Sequence, residues 1–600
     1  MKTRNKILLG AANVLLAAGL IRIMGLWDWI YFNKSFLSAA LFLLTVEGSG
    51  RTAAQMKENG RKGRTAFFLS WLLCFTEILG ASLRLLENQG GVTITVGTVA
   101  WMAGAAFGFS WILEPFFFWL LGIRWQPKAA GKRSLNQVFF LCWAVLFVGW
   151  LPCFFAFYPG LYCYDMIWQW QMFASGSYST HHPLIHTLFS GGVIELGKIL
   201  FGSYERGLAL HSLVQMLLLT GAMAFSLRYL AKIRVPRAVW LLIAGFYLLF
   251  PFFPVSGIST TKDILFGGLM LVVFVCLSDM VRERKIYRGL PLAGFLVVLI
   301  LMGLFRNNAV YGIAFLVACL LLWALAVFVR EKKKDEFLLK LALIFAVGIL
   351  GMEGGFISLK KGLDAQQGSV AEMLSMPMQQ MARTYVYHQE EMDENDLKEL
   401  FSFIPEDNLS RYKYYVSDPV KSGTDQAYLE ENLGEFVKLW VRLGLQFPGE
   451  YLLAPVYNMM GLWYLGGDSS CYVEYQMSQP FDQEHAVETR SLLPGLKEVY
   501  SWFTDIHLQT YLPMVSMVFY TSFYVWMVLL AGAESFGRGE KKTLVLPLFL
   551  GGYILTLALG PCITVRYLLG VMMAAPVLFI QSVMLPERQK KKTPGEKSGE

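Results

Sequence analysis

The chain has 600 residues, of which 55% are hydrophobic and 16% are charged, with a net charge of +8 and a mean hydropathy of +0.46. Soluble globular proteins carry about 25% charged residues, so this composition excludes an ordinary soluble protein and any soluble protein with a single membrane anchor. Apolar runs of about 18 to 22 residues recur along the chain, and each is long enough to cross a hydrocarbon core of roughly 30 Å. We therefore predict an all-α polytopic membrane protein.

The positions of lysine and arginine between the apolar runs predict the orientation of the chain. The N-terminus is basic, and basic segments recur between later runs, so we place both termini in the cytoplasm of a bacterial cell and the chain in its plasma membrane. The segment 183–202 contains Glu195 and Lys198 and is predicted to be an interfacial helix. With that assignment the count is about 14 transmembrane helices. The first five are predicted near 6–24, 30–47, 66–86, 97–122 and 137–157.

Charge and hydropathy divide the chain into five regions. Residues 357–510 contain 23 acidic and 11 basic residues, a net charge of −12, whereas the whole chain is basic. This asymmetry predicts a mainly helical extracytoplasmic domain. A phosphate-binding loop of the form GxxxxGK[ST] is absent from the sequence, which disfavours an ATP-driven pump. The other regions are an N-terminal four-helix membrane region (1–136), a transmembrane core with its first outer loop at 158–206 (137–356), C-terminal helices (511–586) and a basic tail (587–600).

The first outer loop holds the strongest candidate residues. Asp165 lies among tyrosines and tryptophans directly after a predicted span, and His181, His182 and Pro183 follow it. Asp165 is either a general base or metal ligand, or a solvated acid in an interfacial aromatic belt. Proline is favoured in a first helical turn. The histidines are therefore either structural hydrogen-bonding groups or, partly protonated, part of a phosphate site at a helix N-terminus.

Three cations are predicted at outer ends of spans, where lysine and arginine are normally scarce. Lys262, Arg306 and Arg566 could stabilise a phosphate group, and each could alternatively be an interfacial side chain that reaches towards water. Arg306 is the favoured candidate, because it and Asn307 separate two spans with hardly any loop. Asp263 follows Lys262 directly and could neutralise it.

Two further positions have open interpretations. Arg383 is either a loop residue near the substrate or, more in line with its surroundings, a helix-surface arginine paired with Glu390 or Glu391. Cys163 and Cys471 are predicted in exposed loops, where a disulfide between them is one option.

These features resemble the GT-C superfamily of membrane glycosyltransferases, which includes protein O-mannosyltransferases and the aminoarabinose transferases of lipid A. The resemblance is carried by the outer-loop acid, by the His-His-Pro triplet and by "GPCITVRYLLGVMMAAPVLF" (560–579). The chain departs from the superfamily pattern at Leu184, where a second proline is common. It also departs at Gly570 and Val571, where Leu-Pro is common.

A narrower resemblance is to a family of uncharacterised, large membrane proteins of Gram-positive bacteria that is itself similar to GT-C enzymes. It covers roughly residues 137–585 and leaves the first four helices without an assigned role. The segments that carry it are "FRNNAVYG" (305–312), "EMLSMPMQQMARTYVYH" (372–388), "VSDPVK" (416–421) and "FPGEYLLAPVYNMMGLWY" (447–464).

The resemblance implies an inverting transfer of a sugar from a polyprenyl-phosphate donor to an envelope glycan, lipid or protein. Asp165 takes the position of the catalytic acid, and His181 and His182 take positions near the donor phosphate. With one well-placed acid a metal is not expected, and Mg²⁺ or Mn²⁺ is the alternative. The further candidates are Lys262, Arg306 and Arg566 for the phosphate and Tyr164, Gln169, Asn307, Tyr567 and Arg383 for the substrate lining.

Two other classes of function stay open from the sequence. A transporter or flippase of lipid-linked glycans suits the number of spans, but such proteins usually show internal repeats and bind at the membrane midplane. A non-catalytic envelope assembly protein or sensor is favoured if Asp165 lies far from Arg306 and the histidines. The expected partners are the lipid-linked sugar, its acceptor and membrane lipids, and no nucleic acid.

Overall fold

The computed structural model describes residues 60–88, 96–127, 134–465, 485–504, 515–538, 541–558 and 560–584. Within these ranges the named elements are all helices, and β-pairing is limited to isolated bridges. The all-α prediction is therefore confirmed for the described part. The spans predicted near 6–24 and 30–47, Cys471 and the basic tail lie outside these ranges.

Twelve α-helices precede the predicted extracytoplasmic domain in the described part of the chain. They are α1 (Gly60–Asn88), α2 (Val96–Leu120), α3 (Leu135–Ala156), α4 (Tyr164–Ser175), α5 (Leu184–Phe201), α6 (Tyr204–Lys232), α7 (Arg237–Leu249), α8 (Phe252–Gly257), α9 (Lys262–Glu283), α10 (Leu290–Phe305), α11 (Ala309–Glu331) and α12 (Glu336–Gly362).

Short helices then form a separate domain, and the chain returns to apolar helices. The remaining α-helices are α13 (Val370–Met373), α14 (Ser375–His388), α15 (Glu394–Phe403), α16 (Glu406–Leu409), α17 (Asp418–Lys421), α18 (Gln426–Glu431), α19 (Leu433–Gln446), α20 (Pro448–Asn458), α21 (Met460–Trp463), α22 (Pro494–Thr504), α23 (Thr521–Arg538), α24 (Val545–Leu557) and α25 (Val565–Val583).

Eight helices of the described ranges are long and apolar enough to cross a membrane: α1, α3, α5, α6, α9, α11, α12 and α25. The two halves of α2, which are bent by 54° at Gly108, would make a ninth span. The apolar helices α7, α10 and α24 are shorter, at 13, 16 and 13 residues. A multi-pass membrane protein is thus supported, whereas the predicted count of about 14 is not confirmed.

The helices α9 and α25 form the centre of the membrane region. Of the most apolar 18-residue stretch of each, 78% of α9 and 72% of α25 is buried inside the protein, more than in any other described candidate span. They touch directly, since Gly267 faces the backbone of Gly570 and a side chain at either position would meet the partner helix. The first turns of both helices therefore lie close together, and this arrangement positions the site described below.

Helices α5 and α6 form a tight hairpin, in which the C-terminal half of α5 packs against the first turns of α6. A side-chain carbon at Gly197 would lie 2.6 Å from the Cα of Gly207, and one at Gly207 would lie 2.2 Å from the carbonyl oxygen of Ile194, so both glycines are needed for the close approach. The length and composition of α5 match a membrane span. Its interfacial location therefore remains a prediction.

The helical domain, which we define as residues 370–458, has its own hydrophobic core. Buried side chains of α14, α15 and α19, among them Met381, Leu400 and Leu439, pack together separately from the core of the membrane region. Acidic residues occupy the first turn of α15, which Asp393 caps by accepting a hydrogen bond from the backbone of Asn395. The predicted helical character of this region is confirmed, and its side of the membrane remains a prediction.

Candidate functional site

Two loops are joined by backbone hydrogen bonds and bring Asp165 beside Lys262. The amide of Leu161 donates to the carbonyl of Ile258 at 2.9 Å, and the amide of Thr260 donates back to the carbonyl of Leu161 at 3.0 Å. Asp165 lies in the first turn of α4, four residues after this pairing, and Lys262 is the first residue of α9. The pairing therefore fixes the starts of two helices, and the charged side chains that they carry, next to each other.

Five charged side chains meet at this point, and we call them the charge cluster: Asp165, Lys262, Asp263, Arg306 and Arg566. Asp165 Oδ2 lies 3.6 Å from Lys262 Nζ and 3.6 Å from Arg566 Nη1. Arg566 Nε lies 3.7 Å from Asp263 Oδ2, and Arg306 donates a short hydrogen bond to Asp263 Oδ1. The cluster thus unites all three cations that the sequence analysis singled out with Asp165, around an excess of one positive charge.

Aromatic rings enclose the guanidinium group of Arg306. Its central carbon lies 4.5 Å from the ring centre of Tyr567 and 5.7 Å from those of Phe266 and Tyr553. Such contacts stabilise a cation by about 0.5–2 kcal/mol. The side chain is 9% exposed. Arg306 is therefore a buried cation enclosed by aromatic rings, and it is not an interfacial side chain that reaches into water.

Four helices begin at the charge cluster, and their N-termini add partial positive charge. Asp165 lies in the first turn of α4, Lys262 in that of α9, and Arg566 in that of α25, while His182 directly precedes α5. None of the four N-caps makes a side-chain capping hydrogen bond. Unpaired N–H groups and the helix dipoles favour an anion at such a point.

The hydroxyl groups of two N-cap residues make no hydrogen bond in the structure. Thr261 Oγ1, before α9, and Thr564 Oγ1, before α25, are both buried and without a hydrogen-bond partner in the structure. Buried polar groups are normally satisfied, so unsatisfied ones near a functional centre call for an explanation such as a ligand. Thr261 directly precedes Lys262, and Thr564 lies two residues before Arg566.

His182 belongs to the same site, whereas His181 faces the helical domain. Lys262 Nζ lies 3.3 Å from His182 Nδ1, which must accept because an ammonium group only donates. The hydrogen of His182 is therefore on Nε2, a buried donor without a partner in the structure. His181 is exposed, its ring centre is 4.6 Å from that of His182, and it lies in the electrostatic field of Glu372 and Lys421.

Of the two interpretations that the sequence left open, partly protonated histidines are not supported by the pKa shifts of these rings. Burial, followed by the charge of Lys262, lowers the pKa of His182 well below its usual value of 6.5. The pKa of His181 is lowered too, because the neighbouring protein removes part of the hydration of its ring although the side chain remains partly exposed. Both rings are accordingly neutral at pH 7, and His182 can contribute to an anion site as a hydrogen-bond donor but not as a charge.

The carboxyl group of Asp165 is ionised. Burial alone would raise its pKa, but the neighbouring charges of Lys262 and Arg566 outweigh burial and hold the pKa below the usual 3.8. The Oδ2 atom nevertheless makes no hydrogen bond, since both cations are too far away for one. A solvated acid in an aromatic belt is excluded, because Asp165 is 9% exposed.

Gln169, one turn after Asp165, begins a buried hydrogen-bonded chain. Its Oε1 atom is 2.6 Å from His186 Nδ1, which must therefore carry the hydrogen. His186 Nε2 is 3.2 Å from Ser190 Oγ, and Ser190 Oγ is 3.1 Å from His211 Nε2. Sequence reasoning missed Ser190 and His211, whose only signal was polar residues inside apolar helices. The chain fixes α4 against α5 and α6.

Arg383 lies on a helix and is buried, so neither the loop position nor the surface pairing with Glu390 or Glu391 is correct. It lies on α14, is 1% exposed, and donates to Glu450 at 2.6 Å and to Glu87 at 2.8 Å. Its guanidinium carbon lies 4.4 Å from the ring centre of Tyr457. Arg383 joins the helical domain to α1, because Glu87 lies near the end of that helix.

The other candidates have mixed positions. The sequence suggested that Asp263 neutralises the adjacent Lys262, but in the structure Asp263 pairs with Arg306. Asn307 is exposed in the turn after Arg306. Cys163, predicted to be exposed, is fully buried as the N-cap of α4. Tyr164 is the first residue of α4, and its side chain lies outside the described part of the structure.

Backbone hydrogen bonds connect the loops around the charge cluster to the segments next to and within the helical domain. The amide of Thr180 donates to the carbonyl of Gln366 at 2.9 Å, and the amide of Ser417 donates to the carbonyl of Pro561 at 2.9 Å. These contacts connect the segments on either side of α13–α16 to the loops that precede α5 and α25. The charge cluster therefore lies between the membrane helices and the helical domain.

The described residues do not contain a group of three or more histidine, cysteine, aspartate or glutamate side chains that could hold a metal ion. Asp165 and Asp263 already face three cations, whose charge opposes that of a divalent metal. The Mg²⁺ or Mn²⁺ alternative therefore has no ligand set in this part of the chain.

The comparisons with known proteins give a family but no activity. A model described as a family of unknown function, DUF6020, matches residues 175–597, which is more than half of the chain. The matched range includes His182, Lys262, Arg306 and Arg566, and it begins after Asp165. Neither the curated proteins nor the solved structures contain a match. The chain thus belongs to the DUF6020 family of unknown function.

Proposed function

We propose that the chain is a membrane glycosyltransferase of the GT-C type, which moves a sugar from a polyprenyl-phosphate donor to a cell-envelope acceptor with inversion. The reaction would occur at the outer face of the bacterial plasma membrane. The observation that carries the proposal is the charge cluster, in which three cations meet Asp165 where four helices begin. A lipid-linked phosphate could reach such a site from the membrane, and an acceptor could reach it from the aqueous side.

The cations suit the leaving phosphate. As the bond from the anomeric carbon to the phosphate oxygen breaks, its electron pair passes to that oxygen, and negative charge grows on the phosphate. Lys262 and Arg566 are 22% and 14% exposed, so they act in a largely dehydrated setting, where electrostatic stabilisation is strongest. The Nε2–H of His182 and the hydroxyl of Thr261 supply uncharged donors beside them.

Asp165 suits the role of general base. The oxygen of the acceptor hydroxyl attacks the anomeric carbon from the face opposite the phosphate, and its proton passes to the Asp165 carboxylate. Asp165 is ionised, as this role requires. General bases contribute about 10²–10⁴-fold to rates. Gln169 and Tyr567 lie next to the reacting groups, Gln169 through the backbone of Asp165 and Tyr567 through Arg566.

A transporter or flippase of lipid-linked glycans is less well supported. Transporters place their charged groups near the membrane midplane on broken helices. Here the charge cluster lies at the starts of the helices α9 and α25, next to a non-membrane domain.

The experiment that tests the proposal is mass spectrometry of envelope glycans from a deletion strain complemented with variants. Wild type should restore one sugar modification, whereas Asp165→Asn should reduce it by about 100-fold or more and Arg566→Gln by a similar factor. Asp279→Asn is the matched control. That carboxylate also pairs with a cation, Lys232 at 2.6 Å, but near the opposite end of α9, and it should restore the modification fully.

Protein levels of all variants are compared by immunoblot, so that loss of modification is not confused with loss of protein. Full restoration by Asp165→Asn at wild-type protein level would refute the role of Asp165 as base. A deletion strain with unchanged glycans but an accumulated lipid-linked precursor on the cytoplasmic side would instead favour the flippase.

A further inference from the structure

The two carboxylates of the charge cluster are held in different ways, although they share Arg566. Asp263 is fully buried, and its Oδ1 atom accepts a hydrogen bond from Arg306. Asp165 forms ion pairs with its two cations at 3.6 Å, beyond the 2.7–2.9 Å of a charge-assisted hydrogen bond. Asp263 is thus hydrogen-bonded to a cation, whereas Asp165 is paired with two cations without a hydrogen bond to either.

The position of Asp165 Oδ2 is one that a phosphate oxygen would occupy. It lies at equal distances from Lys262 Nζ and Arg566 Nη1, next to the first turns of α9 and α25. Arginine binds phosphate and carboxylate with the same donor geometry. An incoming phosphate and the Asp165 carboxylate would therefore compete for the same two cations.

We propose that Asp165 occupies the place that a phosphate oxygen would take between Lys262 and Arg566, and that binding of the donor phosphate displaces its carboxylate from the two cations and so releases it as a base. This inference rests on the proposed function, since it assumes a phosphate donor at the charge cluster. It adds an order to the reaction. The donor binds first, and only then does Asp165 become able to take a proton from the acceptor.

This order keeps Asp165 from acting as a base before the donor phosphate has bound. A carboxylate that is stabilised by two cations binds a proton weakly, so Asp165 is a poor base near neutral pH while it is paired with Lys262 and Arg566. When the two cations turn to the phosphate, that stabilisation is lost, and the nearby phosphate charge further favours protonation of Asp165. Water entering without a donor would then meet a carboxylate that does not activate it.

Other groups near the charge cluster are consistent with exchange of partners. His182 Nε2, Thr261 Oγ1 and Asp263 Oδ2 are buried and without hydrogen-bond partners in the structure, so each could form a bond when an anion enters or Asp165 moves. The phosphate would take one hydrogen bond from each of the first two. Asp263, still bonded to Arg306, would keep the site from collapsing.

The test is a binding measurement on the full-length protein in lipid nanodiscs, with farnesyl phosphate as the probe. Asp165→Asn removes the competing charge, so its affinity for the probe should rise by about five- to tenfold, a typical coupling between two sites. Lys262→Met should weaken binding by at least a similar factor. Asp279→Asn, which removes a carboxylate at the other end of α9, should leave the affinity unchanged.

The outcomes separate this inference from the proposed function. If Lys262→Met weakens binding while Asp165→Asn binds no more tightly than wild type, the phosphate site stands and the competition is refuted. If wild type and Asp165→Asn both fail to bind the probe, the phosphate site fails, and the inference fails with it.

A second measurement uses the wild-type protein and does not depend on the folding of a variant. Dicyclohexylcarbodiimide reacts with protonated carboxyl groups in apolar surroundings, and peptide mass spectrometry locates the product. Farnesyl phosphate should increase the labelling of Asp165 several-fold near neutral pH, with labelling of Asp279 as the internal reference. Unchanged or reduced labelling of Asp165 at a saturating probe concentration would refute the release of its carboxylate.

Discussion

Replacement of Arg383 by methionine should loosen the contact between α1 and the helical domain. Arg383 is 1% exposed and lies between the carboxylates of Glu87 and Glu450, whose side chains are 8% and 6% exposed. Methionine fills much of the same volume but leaves two buried carboxylates without a cation. Removal of one partner from a buried ion pair destabilises a protein by about 3–5 kcal/mol.

The magnitude follows from what the variant keeps and loses. It loses two ion pairs and the cation–π contact with Tyr457, and it regains part of the free energy when one carboxyl group takes up a proton. We expect a net loss of about 4 kcal/mol, which corresponds to a roughly 1,000-fold increase in the open population of α14. Because Glu87 belongs to α1, the loss should appear on both sides of the contact.

Hydrogen–deuterium exchange of backbone amides in α14, followed by mass spectrometry, measures this opening directly. Lys340→Met is the matched control. It breaks the pair of Lys340 with Glu336, whose side chains are 59% and 75% exposed, and should change the free energy of unfolding by less than about 0.5 kcal/mol. The double variant Arg383→Met with Glu450→Gln should recover about 1 kcal/mol or more, because one of the uncompensated charges is gone.

A change below about 1 kcal/mol in α14 for a folded Arg383→Met variant would refute this reasoning. It would mean that water reaches Glu87 and Glu450, so that the pairs contribute no more than surface pairs do.

Two further predictions concern the hairpin of α5 and α6 and the histidine that precedes it. Gly207→Ala on α6 should lower the stability of the protein by about 1–3 kcal/mol in a thermal unfolding assay, because the new methyl group meets the backbone of Ile194. Gly192→Ala on α5 is the control, since no atom lies within 4 Å of the new methyl group, and it should be neutral or stabilising. Equal effects of the two substitutions would contradict the tight hairpin. Burial lowers the pKa of His182, so the unfolded chain takes up a proton below about pH 6.5 that the folded protein does not, and stability should fall as the pH drops from 6.5. His182→Asn should reduce that slope by up to about 1.4 kcal/mol per pH unit, and an unchanged slope over pH 5–7 would show that this ring is not kept neutral by folding.

The gathering of the charge cluster could be predicted from the sequence because its cues are local. Asp165, Lys262, Arg306 and Arg566 each lie at the end of an apolar run, and the alternation of runs puts such ends on one face. Lysine and arginine are normally scarce on that face, so several of them there together predict one shared site. The same reasoning places a histidine before α5, but burial, which a sequence does not display, makes His182 neutral.

Partners from distant segments could not be predicted in this way. Glu87 precedes Arg383 by 296 residues in the chain. Glu450 follows it by 67 residues. Only the packing of the helical domain against α1 brings them together. The sequence interpretation paired Arg383 with its neighbours Glu390 and Glu391, since helical spacing is the only proximity that a single sequence displays. Asp263 was likewise assigned to the adjacent Lys262, whereas the turn between α10 and α11 brings Arg306 to it.

The charge balance explains why the cluster needs both carboxylates. Three neighbouring cations without counter-ions would repel one another, and each would bear part of the cost of leaving water. Asp263 neutralises Arg306, to which it is hydrogen-bonded, whereas Asp165 neutralises Lys262 and Arg566 without a hydrogen bond to either. The phosphodiester of the donor carries one negative charge, as Asp165 does, but it also offers acceptor oxygens to the open donors of His182 and Thr261. Its entry therefore gives Lys262 and Arg566 better partners and leaves Asp165 without its own, and this difference in bonding couples occupancy of the site to the basicity of its carboxylate.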